Sequence, residues 1–149
     1  MNIEVYKEKH NEALMTLWWD SWHSSSDFDH PRPLKEWECR FYVLLSTNLA
    51  YVTLDGAELL GFVMFDVDAN ELSLIFVHVK HQQKGIGRQL FTFAMDRLSD
   101  GFTLKVIESA DGPRRFYESF GMIAGDRILN PFNGKYEVLY RLKNKNLSD

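Results

Sequence analysis

Residues 81–90, HQQKGIGRQL, combine two closely spaced glycines with a cluster of cationic side chains. Gly85 and Gly87 let backbone amides approach a ligand with no Cβ in the way. Lys80, Lys84 and Arg88, with His78 and His81 nearby, gather positive charge in a chain whose net charge is −4. The run LSLIFVHV before the glycines reads as a strand, and QLFTFAMDRL after them reads as a helix. A helix N-terminus carries unpaired N–H groups and a partial positive charge, so this junction suits an anion such as a pyrophosphate. The dinucleotide pattern G-x-G-x-x-G is not completed, because Leu90 stands where the third glycine would be, and no Walker pattern occurs. From these residues alone, an ordinary βα turn with solvated cations would look the same.

The elements that must position this loop follow from periodicity. Residues 2–8 alternate as a strand, and Asn11 is placed to cap a helix carrying Leu14, Leu17, Trp18 and Trp22. The serines at 24–26 end it. After HPRP, a second helical stripe runs through Leu34, Trp37, Phe41, Leu44 and Leu45. Strands are predicted over 48–54, 59–67 and 71–79, the first two joined at Asp55-Gly56. The helix after the glycines presents Ile86, Leu90, Phe93, Ala94 and Leu98. A strand over 102–108, a short helix opened by Asp111 and Pro113, and two strands joined near Asn133-Gly134 complete the order β-α-α-β-β-β-α-β-α-β-β. This is a mixed α/β (α+β) chain, read as a single domain over 1–143 with a frayed tail at 144–149.

Composition bounds the function. The chain has 149 residues, 45% of them hydrophobic and 14% aromatic, which is enough to build one core without staples. The acidic balance argues against nucleic acid as the main partner. Cys39 is the single cysteine, so no internal disulfide forms, and it is expected to be a small core residue in mid-helix. No apolar run approaches the ~18 residues of a membrane span. The N-terminus lacks the apolar region of a signal peptide. The expectation is a cytoplasmic protein, monomer or homodimer. No His, Cys, Asp and Glu cluster has metal-ligand spacing, so no metal is expected.

A second segment, RRFYESFGM at 114–122, joins the glycine loop at a telling distance, and here the chain resembles the GNAT superfamily of N-acetyltransferases. In that family a strand leads into a Q/R-x-x-G-x-G/A loop, matched by Gln82, Gln83, Lys84, Gly85, Ile86 and Gly87. A later short helix carries a pattern like F-Y-E-x-x-G-F, matched by Phe116-Tyr117-Glu118-Ser119-Phe120-Gly121-Met122. The order of elements agrees along nearly the whole chain, and the resemblance is to the small, stand-alone bacterial members. Two positions depart: Ala110 stands where the family often has Asn, and Met122 where it has Phe. The first removes one expected contact to the cofactor; the second exchanges one core residue for another.

The resemblance implies acetyl-CoA as co-substrate, held by Gln82 to Arg88, with the backbone of Ile75, Phe76 and Val77 facing the thioester carbonyl. It assigns Tyr117 as the donor of a proton to the leaving thiolate. A phenol with a reference pKa of ~10 is protonated at neutral pH and can donate. Glu71, eleven residues before Gln82, matches a position that serves as general base in some members. Strand alternation would put Glu71, Ser73, Ile75 and Val77 on one face, looking into the cleft. Glu108, Asp66 and Asp68 are rival bases, and Glu71 at a strand end could equally be a solvated carboxylate. The acceptor pocket is expected from residues 17–33 and 130–136. Trp19, Trp22, His23, Asp27 and Phe28 are its candidates, with Trp18 assigned to the core. The implied activity is acetyl transfer to a primary amine of a small molecule or peptide. A catalytically silent acyl-CoA binding module and an acetyltransferase of aminoacyl-tRNA are the alternatives.

Overall fold

The computed structural model describes residues 2–23 and 34–143. Strand β1 (Asn2–Val5) is followed by a 3-10 turn (Glu8–His10), α1 (Asn11–His23) and α2 (Leu34–Thr47). Next come β2 (Leu49–Asp55), β3 (Glu58–Asp66) and β4 (Glu71–Val77), a 3-10 turn (Val79–His81) and α3 (Ile86–Arg97). Strand β5 (Thr103–Ile107), α4 (Asp111–Glu118), β6 (Ile123–Asn130) and β7 (Lys135–Arg141) complete the order. The expected succession of elements is therefore present. No helix among the described residues is long and apolar enough to cross a membrane.

The strands form one seven-stranded sheet in the order β1-β2-β3-β4-β5-β7-β6. Every neighbouring pair is antiparallel except β4 with β5. Helices cover both faces. The apolar stripe of α3 (Ile86, Leu90, Ala94 and Leu98) is buried against one face, together with Phe91, which lies beside the expected stripe. Leu14, Leu17 and Trp18 of α1 and Phe41 of α2 are buried against the other face, on Val52, Phe62 and Met64. Side chains alternating along β2 and β3 thus feed two separate cores.

Local departures from the sequence reading have physical causes. Asn11 is already helical, and the entry to α1 is capped one turn earlier, where the Lys7 amide donates to His10 Nδ1 at 2.9 Å. The Asn11 side chain instead accepts from Tyr6 and donates to the Tyr42 hydroxyl. Cys39 is exposed on α2, because Phe41 and Leu44 set the buried stripe and Cys39 falls outside it. Strand β4 ends at Val77, where the chain turns into the 3-10 segment.

The departure that matters most lies in β4. Phe65 is opposite Leu72 and Met64 is opposite Leu74, so Ser73 has no partner on β3 and forms a bulge. The bulge shifts the alternation by one residue. Leu72, Ile75 and Val77 pack on the α3 side, while Leu74 and Phe76 join the α1–α2 side. The expected common face of Glu71, Ser73, Ile75 and Val77 therefore does not form. Glu71, next to Leu72 in unbroken register, points to the α1–α2 side. Ser73 turns its hydroxyl to Asn48, donating to Oδ1 at 2.6 Å.

Candidate active site

Strands β4 and β5 pair only at Glu71 with Thr103 and Leu72 with Leu104. Beyond Leu72 they part, and the bulge at Ser73 begins at that point. Strand β5 stays in register with β7 along its whole length, so the gap opens beside β4. The direction of the β4 backbone is fixed by its neighbours. The His78 amide donates to the Leu60 carbonyl of β3 at 2.7 Å. Alternation then turns Phe76 towards β3, and Ile75 and Val77 present their amides and carbonyls to the gap. The Val77 carbonyl agrees, because it accepts from Gln82 Nε2 at 3.2 Å on the side away from β3. Gly61 lets the two strands approach: a Cβ there would stand 2.7 Å from the Phe76 carbonyl oxygen.

The glycine loop closes one end of this gap. Gln83 and Gly85 have positive φ (66° and 84°), the second of which favours glycine strongly. A Cβ on Gly85 would meet nothing within 4 Å, so the approach to the loop is open. The first bond of α3 runs from the Gln89 amide to the Gly85 carbonyl at 3.1 Å. The amides of Ile86, Gly87 and Arg88 are therefore left without a partner inside the helix. Ile86 is buried and anchors the loop to the core, while Lys84 and Arg88 are exposed beside it. The Arg88 guanidinium lies over the Phe120 ring at 4.5 Å. Two of the nearby histidines are engaged otherwise. His78 Nδ1 accepts from the Lys80 amide, and His81 Nε2 meets Glu58 at 3.1 Å. The free amides, the open glycine and the flanking cations fit a phosphate-like anion.

Tyr117 enters the gap from α4. It is half-buried among Phe91, Phe116 and Tyr140, with ring centroids 6.0, 5.4 and 6.4 Å away. Burial raises its phenol well above the ordinary tyrosine value, so it is a proton carrier throughout the neutral range. Helix α4 is held by a polar lock. Arg114 Nε donates to the Tyr140 hydroxyl at 3.0 Å, and that hydroxyl donates to Glu118. Arg114 also donates to the Glu108 carbonyl at 2.9 Å, at the end of β5.

A cavity of about 510 Å³ occupies the gap and continues under α1 and α2. Tyr117, Ile75 and Phe76 line it, as does Glu71. Glu71 has no ion-pair or hydrogen-bond partner for its carboxylate among the described residues. Two of the three rival carboxylates are engaged: Glu108 accepts from Arg127 Nε at 2.8 Å, and Asp66 caps its turn by accepting from the Ala69 amide. Asp68 is exposed in the turn after β3. On the α1 side Trp18 lines the cavity, while Trp19 is half-buried against the α1–α2 core. The side chains of Trp22 and His23, and residues Asp27 and Phe28, lie outside the described residues. Arg40 of α2 and the turn residues Asn130, Phe132 and Asn133 complete the far wall. Arg40 falls on the polar side of the α2 stripe, and no motif flags it. Among the described residues no group of His, Cys, Asp and Glu could hold a metal ion.

A parted pair of parallel strands, closed at one end by a glycine-capped helix, defines an acyltransferase fold and site of the N-acetyltransferase type. A family model described as an acetyltransferase (GNAT) domain matches residues 24–129, and the chain belongs to that family. Solved structures share the fold. Apo YjaB of Escherichia coli matches with a TM-score of 0.79 at 18% identity, over 95% of this chain and 96% of that one. The yncA protein of Salmonella typhimurium with its cofactor acetyl-CoA matches at 0.69 and 13%, over 95% and 92%. The ribosomal-protein-S18-alanine N-acetyltransferase of Escherichia coli matches at 0.67 and 16%, over 95% and 92%. No curated protein matches the chain in sequence.

Proposed function

We propose that this acetyltransferase takes its acetyl group from acetyl-CoA and transfers it directly to a primary amine of a small molecule or peptide. The observation that carries the reading is the parting of β4 from β5 immediately beside the open glycine loop. Acetyl-CoA supplies an acyl group activated as a thioester. The amides of Ile86, Gly87 and Arg88, with Lys84, would hold its pyrophosphate. The outward amides of Ile75 and Val77 are donors for an oxygen that gains negative charge, the role of an oxyanion hole. Tyr117 would give its proton to sulfur as the carbon–sulfur bond breaks. Glu71, on the α1–α2 side of the same cavity, would take the proton that the amine loses as the carbon–nitrogen bond forms. Acid and base thus stand on opposite sides of the sheet gap, with the acceptor entering from the helix side.

The test is binding before turnover. Millimolar acetyl-CoA should raise the melting temperature, by about 2.7 kcal/mol of added stability at a hundredfold excess over Kd. Gly85→Glu, which puts a carboxylate where an anion would sit, should abolish that shift. Thiol release should then appear with an amine panel. Absence of any shift in the parent protein would refute the cofactor assignment.

A further inference from the structure

The cavity carries four charged side chains, and their placement separates them into two groups. Lys105 and Glu137 are diagonal neighbours on β5 and β7: Lys105 is opposite Leu139, and Glu137 is opposite Ile107. Residues in that relationship share a sheet face and lie within reach of each other. Glu71 lies at the mouth of the strand gap. Arg40 stands apart on α2, and its guanidinium covers the Phe132 ring at 4.7 Å. Among the described residues it has no carboxylate partner.

The turn facing Arg40 is built to leave donors. Asn130 Oδ1 accepts from the Phe132 amide at 2.9 Å, and Asn133 Oδ1 accepts from the Lys135 amide at 2.8 Å. These bonds fix both side-chain amides, so each Nδ2 is left as the free end. Asn133 is 7% exposed, a buried polar residue on the cavity wall. A guanidinium and two amide donors therefore line the end of the cavity that holds Trp18 and Phe132. Donors without acceptors call for an oxyanion, and a planar guanidinium pairs best with a carboxylate or phosphate.

We infer that Arg40, Asn130 and Asn133 form an oxyanion subsite, and that the acceptor is an amine carrying a carboxylate or phosphate at its far end. Trp18 and Phe132 flank the apolar stretch between the two ends. The amine end would be directed to Glu71. The inference rests on the acetyltransferase reading only for what happens to that amine.

The experiment reads binding and turnover separately. The 149-residue chain, saturated with free coenzyme A, is titrated calorimetrically with glycyl-L-phenylalanine, its C-terminal amide and its phosphonate analogue. The acid should bind at least about 10-fold more tightly than the amide, the scale of a lost charge-assisted hydrogen bond. Arg40→Gln should bring the ratio to about one. Arg40→Lys should keep part of the preference, because charge remains and the fork is lost. A phosphonate that binds more tightly than the acid would also uphold the subsite and would name phosphate as the group it takes. Acid and amide binding alike, no binding by any of the three, or a ratio unchanged in Arg40→Gln would overturn the proposal. Arg40-dependent binding of the acid, with no thiol release from acetyl-CoA and any amine, would keep the subsite and remove the acetyltransferase reading instead.

Discussion

The fully buried hydroxyl of Tyr140 donates to Glu118 at 2.5 Å, tying β7 to the last turn of the helix that carries Tyr117. The same oxygen accepts from Arg114, so two charged side chains of α4 depend on one phenol. Tyr140→Phe keeps the ring and leaves both charges without that partner. Stability should fall by roughly 1–3 kcal/mol, read as a drop of several degrees in Tm. The kcat should fall more than the KM for acetyl-CoA rises, because the glycine loop sits on α3 and not on α4. Glu118→Gln alone, which keeps an acceptor for the Tyr140 hydroxyl, should cost less of both than Tyr140→Phe.

The sequence made some of this arrangement legible and hid the rest. The glycine loop could be read because its constraint is local: Gly85 sits at positive φ at a helix start, and the adjacent strand and helix have clear periods. Trp18, assigned to the core, is both buried and part of the cavity wall, since a stripe residue at a cleft edge does both. The bulge at Ser73 was hidden. Nothing in ELSLIFV marks a register slip that is decided by pairing with β3, and the slip moved Glu71 to the other face of the sheet. Cys39 was placed in the core on residue type alone, which α2 does not follow. Arg40 was invisible because its meaning comes from a turn about ninety residues later, and only the fold brings the two together.

Two glycine substitutions should move in opposite directions. Gly61→Ala sets a Cβ 2.7 Å from the Phe76 carbonyl oxygen and 3.2 Å from Leu90 Cδ1, so β4 must shift. Overpacking of that kind costs about 1–3 kcal/mol. Because Phe76 lines the cavity, kcat/KM should fall as well. Gly112→Ala, in α4 with nothing within 4 Å, should be neutral or stabilising by up to about 1 kcal/mol. Thermal melts of the two variants beside the parent check both signs.

Acidification should loosen the entry to α1. Burial lowers the pKa of His10, with Lys9 and Lys7 adding to the shift and Glu4 opposing it. The neutral ring accepts the Lys7 amide at Nδ1. A lowered folded pKa means that the unfolded chain takes up the proton first. The contribution is present above the unfolded value of 6.5 and is lost as pH falls through the folded one. Tm should therefore decline from pH 7.5 to pH 5. His10→Asn, which offers an oxygen acceptor in place of Nδ1 and does not titrate, should make that decline shallower.

Tyr117 offers a separation of chemistry from stability. Its phenol is raised by burial and has no hydrogen-bond partner among the described residues. A desolvated hydroxyl of this kind contributes little to folding, so Tyr117→Phe should leave Tm unchanged or slightly higher at neutral pH. If the phenol protonates the departing thiolate, kcat should fall by roughly 10²-fold, with the KM for acetyl-CoA nearly kept because the ring remains. The linkage sign gives a second readout. A folded pKa above the unfolded value near 10 means that stability is fully present below that pH and is lost as pH rises through the folded value. The Phe variant should lose less stability than the parent above pH 10. Thiol-release kinetics at saturating amine, with melts from pH 7 to 11, measure both effects. Unchanged turnover in Tyr117→Phe, with chemistry shown to limit the rate, would assign the residue to packing alone.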